Sequence, residues 1–293
     1  TLRKRFFKLA PVAAAHILEA SHFDLWSRVY PWHLIDHTRG QPGFSNPYPA
    51  VVEHFNQVVA WLQTAILTAR PEKLRVKMTS FLIRAAQACQ ELGYLSALLL
   101  VTAALQDQMI SRVKRLWGQI PSSLWQVFEQ LTSLCSAEKN FINLRNRAST
   151  TNTQLPFSIL CKDLIMASQV VQDLGISLAS SGGTKIPYHE FRYLGRILTK
   201  NLTITHSREQ LRSNISPEHL PLKDDLLANP LPRLKRDKLF ELSYALEPPA
   251  SAELGGADQV VSTTNPLNLV SHSPAKPVAG LSITTRPRPR PRS

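Results

Sequence analysis

Apolar positions in the middle of the chain recur with a helical period. From Leu74 to Cys89, the residues Leu74, Met78, Phe81, Leu82, Ala85 and Cys89 stand three and four apart, while Lys77, Ser80, Arg84 and Gln87 fall off that stripe. The pattern predicts a helix with one buried face. Tyr94 to Leu105 is apolar on every side apart from Ser96 and Thr102, which predicts a central helix packed all round. It is far shorter than the ~20 residues a bilayer requires. After Pro121, Ser123 with Gln126 three residues later has the form of a capping box, and Leu124, Val127, Phe128, Leu131 and Leu134 trace another one-sided helix.

Toward the amino end, Val12 to Ile35 reads as a helix, a turn at Pro31 and a further short turn, followed by a connector over 38–49 rich in Gly and Pro. Later, Ile159 to Leu174 and Tyr188 to Lys200 read as two helices separated by a spacer that includes Ser180, Ser181, Gly182 and Gly183. Residues 201–238 are polar and broken by proline, so short helices in irregular chain are expected. The tail, 251–293, is rich in Ser, Thr, Pro and Gly, a composition expected to stay disordered. No strand pattern emerges, and the fold class is all-α.

Composition changes this picture little. The hydrophobic share of 43% over 293 residues suits a globular domain. The net charge of +13 is unevenly spread: Arg3, Lys4, Arg5 and Lys8 give residues 1–8 a charge of +4, the tail carries +3, and +6 remains for 9–250. Basicity concentrated at the ends argues against nucleic acid as a partner of the core. An anionic membrane surface or an acidic protein fits at least as well. Residues 1–9 read as a basic lead-in or linker, with Phe6 and Phe7 suiting a membrane-touching patch less well than a solvated terminus or the end of an upstream linker. Arg286 to Arg292 alternates Arg with Pro, which suits an extended SH3 ligand as well as a solvated basic tail.

Candidate chemistry is sparse. Cys89, Cys135 and Cys161 lie apart in apolar surroundings, as buried reduced thiols do. His33 and His37 are four apart but lack a third ligand, so no metal is expected. Gly182-Gly183-Thr184-Lys185 has Thr and Lys in the wrong order for a phosphate loop. No cofactor motif, paired carboxylates or Cys–His arrangement stands out, and a conventional enzyme is not expected. No signal peptide or membrane span is visible, and a first residue Thr1 in place of Met suits a segment of a longer polypeptide.

Three long phrases carry a resemblance: FNQVVAWL from Phe55, LRVKMTSFLIRAAQACQELGYLSALLLVTAAL from Leu74, and ISRVKRLWGQIPSSLWQVFEQL from Ile110. In order and spacing they are similar to the catalytic domain of Ras-family guanine-nucleotide exchange factors, the Son-of-sevenless and Ral dissociation stimulator type. Leu25 to Leu34, Asn140 to Arg145, Pro156 to Leu164 and Leu239 to Pro248 resemble further phrases of that family, the third with one residue missing. The resemblance implies one multi-helix domain over 10–250 with a protruding helical hairpin at 159–200. It implies an exchange catalyst without covalent chemistry that wedges open the switch regions of Ras, Rap or Ral, in the cytoplasm, with recruitment to membrane as a further expectation.

Carried over by position, the resemblance puts Ile165 and Gln169 at the wedge, Gln169 standing where a glutamate is common. It puts Arg75, Ser96, Arg112, Lys114, Leu144, Phe157 and Asp163 toward the GTPase. Arg75 reads equally as a solvated helix charge, while Arg112 and Lys114 read rather as structural helix charges, and Phe55 and Trp61 rather as core than as contacts. The alternative is a scaffold of the same fold that binds partners without catalysing exchange.

Overall fold

A computed structural model describes residues 1–30, 33, 46–180, 188, 192, 195–196, 208–227 and 231–248; within 157–180, the surroundings of side chains are described as far as Gln169, except at Ser168. Among the described residues there are thirteen α-helices and no strand. They are α1 (Leu2–Phe6), α2 (Pro11–Trp26), α3 (Tyr48–Leu67), α4 (Glu72–Leu92), α5 (Leu95–Gln106), α6 (Gln108–Ser111), α7 (Lys114–Trp117), α8 (Ser122–Leu134), α9 (Ile142–Thr151), α10 (Phe157–Ser180), α11 (Arg208–Ser213), α12 (Leu220–Leu227) and α13 (Arg236–Leu246). None is long and apolar enough to cross a membrane.

Helix α5 is the hub. Its residues from Leu95 to Leu105 are buried except for Ala103, and α4, α3, α2 and α8 pack around it. Thr102 turns its hydroxyl back onto the carbonyls of Leu98 and Leu99, at 2.9 and 3.1 Å, which satisfies this buried polar group within the helix. At the first turn, the amide of Ala97 donates to the buried Glu19 carboxylate of α2. Helix α4 stops at Gly93, whose φ of 75° is left-handed and whose missing Cβ would stand 2.6 Å from Thr153 Cγ2. That stop turns the chain directly into α5.

Several expectations need correction. Ser80 and Thr79 are buried and Leu74 is exposed, because α4 is enclosed by α2, α5 and α8 beyond its first turns. No capping box forms at α8. Ser122 already begins the helix, and the carbonyl of Pro121 accepts from the amides of Leu124 and Trp125, both at 2.9 Å. The lead-in does not end in solvent: Phe6 is fully buried, edge-on to Trp61 at 5.2 Å and to Phe81 at 5.9 Å. Its charges stay outside, Arg3 donating to Thr68 and Arg5 pairing with Asp225. All three cysteines are free and buried. His37, the connector over 38–45, the spacer 181–187, most of the second predicted hairpin helix and the tail lie outside the described residues; Tyr188, Arg192, Gly195 and Arg196 are helical.

Candidate functional site

A cavity of about 670 Å³, in the size range of ligand pockets, opens among the described residues. Its walls come from Val59 of α3, from the end of α5, from α6 and α7, from one face of α8 and from the loop leading to α9. Trp117 is its floor: the indole stacks on Phe128 at 4.8 Å, meets Trp125 edge-on at 5.4 Å, and donates from Nε1 to the carbonyl of Ile110. Trp125 is one-third exposed at the rim. Asp107 caps α6 by accepting from Met109 and also takes a bond from Arg236, so its carboxylate is held in place. Lys114 is exposed at the mouth. Burial pushes the Cys135 thiol in the wall up to about 12, so it stays protonated and apolar. An apolar cleft with rigid aromatic rings and few charges is suited to receiving apolar side chains of another protein.

Helix α10 meets the loop behind this wall at Asp163, which Asn140 and Arg145 bind. Phe157 anchors its first turn, stacked on Trp26 at 5.9 Å and close to Tyr48 and His22, and Leu160, Cys161 and Leu164 face the core. Ile165 is half-buried and Gln169 exposed, one turn apart on the same side. The helix has 24 residues, about 36 Å at the usual rise per residue. It begins before the predicted start and runs past Leu174 to Ser180, into the predicted spacer.

The remaining site residues predicted from the sequence are scattered around this pair of features. Ser96 and Phe157 are buried and line one small internal cavity with His22, Phe55 and Ser158. Burial holds the imidazoles of His22 and His54 well below their usual range, at about 3 and 4, so both rings are neutral. Leu144 has no exposed surface. Arg112 does not line the pocket and is occupied by the closing helix: it donates to the carbonyls of Ser243 and Glu247 and lies over the Tyr244 ring. Asp163 is bound by Arg145. Arg75 is half-buried and donates to the carbonyl of Ala69 at 2.7 Å. Lys114 alone of the predicted set lines the large pocket.

Sequence reasoning missed Gln106, Asp107, Trp117, Trp125, Phe128 and Phe141 as pocket residues. One signal was available: Trp125 is a large apolar residue beside, and not on, the buried Leu124–Phe128–Leu131 stripe of α8, and it packs on Phe128.

Comparison with known proteins places the pocket and the start of α10 in one recognised unit. The model of the RasGEF domain matches residues 14–192, which include every residue lining the pocket. Among curated proteins, the chain is 32% identical over 117 residues to Ras guanine nucleotide exchange factor W of Dictyostelium discoideum, covering 40% of this chain and 10% of that protein. It is 27% identical over 206 residues to mouse Ras-specific guanine nucleotide-releasing factor RalGPS1, covering 69% of this chain and 34% of that one. With mouse Rap guanine nucleotide exchange factor-like 1 it shares 24% identity over 256 residues, 82% of this chain and 36% of the other. The chain thus spans only about a tenth to a third of the length of these relatives. The match of more than half the chain to the domain model, on an all-helical fold with its own core, establishes that this chain belongs to the RasGEF family.

Proposed function

We propose that the domain is a guanine-nucleotide exchange factor for a Ras-family small GTPase. The observation that carries this reading is that the segment matched to the RasGEF domain holds both the aromatic pocket and α10, joined where Asn140 and Arg145, next to the pocket residue Phe141, bind Asp163. In this reading the pocket grips one switch segment, while α10 and the helix after it form a hairpin that opens the other. The catalyst forms no covalent bond. It binds the nucleotide-free GTPase more tightly than the loaded one, and linkage requires that it loosen the nucleotide by the same factor.

Among the residues predicted from the sequence, Lys114, Ile165 and Gln169 stand on this contact surface, with Arg75 toward its edge. Trp125 joins them. Ser96, Leu144, Phe157, Arg112 and Asp163 act from behind it, by holding the surface in shape. Lys4 and Lys8, exposed near Arg3, suit recruitment to an anionic membrane, and residues 286–292 suit an SH3 domain.

One observation favours the scaffold as a second reading. Gln169 is a neutral amide at the position where the resemblance expects a carboxylate, and an amide repels phosphate far less. Affinity measurements separate the two. Binding of the chain to nucleotide-free Ras, Rap and Ral is compared with binding to the GDP-loaded forms. Preference of about tenfold or more for one nucleotide-free form supports exchange, since it is the coupling the mechanism needs. Equal affinity for both states contradicts exchange and favours the scaffold.

A further inference from the structure

Between the pocket and α10 the chain adopts an unusual path. Lys139, Asn140 and Phe141 are three successive residues in the left-handed region, with φ of 46°, 57° and 60°, and none is glycine. Such a run is costly for residues with a Cβ and persists only where the surroundings hold it. Here the holding group is Arg145. Its Nε donates to the carbonyl of Asn140 at 2.7 Å, and its Nη1 and Nη2 form a fork on the two carboxylate oxygens of Asp163, at 2.7 and 2.8 Å. The side-chain amide of Asn140 reaches the same carboxylate at 3.5 Å. The pair is mostly shielded, 25% and 17% exposed, so solvent screens it only in part. Phe141, at the end of the left-handed run, is buried and forms part of the pocket wall.

We infer that Arg145 is a positioning residue: with Asn140 and Asp163 it ties the pocket wall at Phe141 to helix α10. A partner pressing on Phe141 then acts, through the left-handed run and the fork, on the helix that carries Ile165 and Gln169. Asp163 serves as the anchor of this tie and not as a contact to the partner. The functional consequence rests on the exchange reading; the mechanical tie does not.

Two measurements on the full chain test it. The first needs no GTPase: amide hydrogen exchange of wild type, Asp163→Asn and Arg145→Lys, with circular dichroism as a check of folding. Loss of a charge-assisted fork predicts exchange faster by roughly tenfold in 139–145 and 157–169, with α4 and α5 unchanged. Unchanged exchange in those two segments overturns the tie. The second follows GDP release against GTPase concentration. Both variants should lower kcat by about tenfold or more while KM holds, because misplacing a working group spares docking. Reversing the pair, Arg145→Asp with Asp163→Arg, should recover part of the loss. A rise in KM alone, or full activity in folded variants, overturns the positioning role. If wild type accelerates no GTPase, the exchange reading fails and hydrogen exchange still decides the tie.

Discussion

Arg112 donates to the carbonyl of Glu247 at 2.8 Å, joining the turn before α7 to the last described residues of the domain. It also reaches the carbonyl and hydroxyl of Ser243, and its guanidinium lies 4.2 Å from the centre of the Tyr244 ring. Glu247 answers by accepting from the amide of Arg115. One side chain therefore fastens the closing helix beside the pocket. Arg112→Lys keeps the charge but loses the placement of Nη1 on Ser243 and Glu247 and the stacking on Tyr244. It should lower stability by about 2 kcal/mol, the scale of a charged hydrogen-bond set. Chemical denaturation checks this, and an unchanged midpoint contradicts it.

Glu19 gives the fold a pH dependence of definite sign. The carboxyl is fully buried in α2, and burial raises its pKa to about 7, against which the bond from Ala97 works only partly. A folded pKa above the unfolded value of 4.5 means that the folded state holds the proton longer. Its contribution to stability therefore falls as pH rises from 4.5 to 7 and is flat beyond. Glu19→Gln removes that fall, so the variant should gain on wild type across this window by up to about 3 kcal/mol. Denaturation curves of both proteins at several pH values decide it; a constant difference contradicts the account.

His22 and His54 act in the opposite sense. Their folded pKa values, about 3 and 4, lie below the unfolded 6.5, so their contribution is complete above 6.5 and is lost as pH falls toward 4. The rings stack 6.1 Å apart beside Phe157, at the root of α10. Acid should loosen this root early, so at pH 5 the segment 157–164 should lose protection, relative to the intrinsic exchange rate at that pH, before α5 does. Simultaneous loss in both segments contradicts this.

Much of the helical core was legible because its signal is local. The all-round apolar run of α5 and the stripes of α4 and α8 report their own burial through period alone. Ser80 was misread because a second packed neighbour buries a small polar residue without changing the period. The lead-in was misread for a related reason: its cations announce solvent, while Phe6 finds its partners in Trp61 and Phe81, far along the chain. The pocket has no local signature at all. Its walls are drawn from elements spread from α3 to the loop before α9, and only the out-of-pattern Trp125 marks it in the sequence.

Trp125 offers a direct probe of docking. It is partly exposed at the rim and packs on Trp117 and Phe128 without belonging to the central core. Trp125→Ala should weaken binding to the nucleotide-free GTPase by about tenfold, an aromatic hot-spot effect, with little loss of folding stability. Undiminished affinity, measured by titration, removes the pocket from the interface.

Gln169 tests the wedge. If a carboxylate at this place repels the phosphates, Gln169→Glu should raise the exchange rate several-fold, since one charge in a partly desolvated site is worth about 1 kcal/mol or more. No change contradicts the electrostatic part of the mechanism and leaves only the steric part.

The central claim meets its most direct test in the release of fluorescent GDP from Ras, Rap and Ral, followed with and without the chain in the presence of excess unlabelled nucleotide. The account predicts that release from one of them speeds up in proportion to the chain added, and that Trp125→Ala blunts the effect. Release at the unassisted rate from all three, by a folded chain, would contradict it.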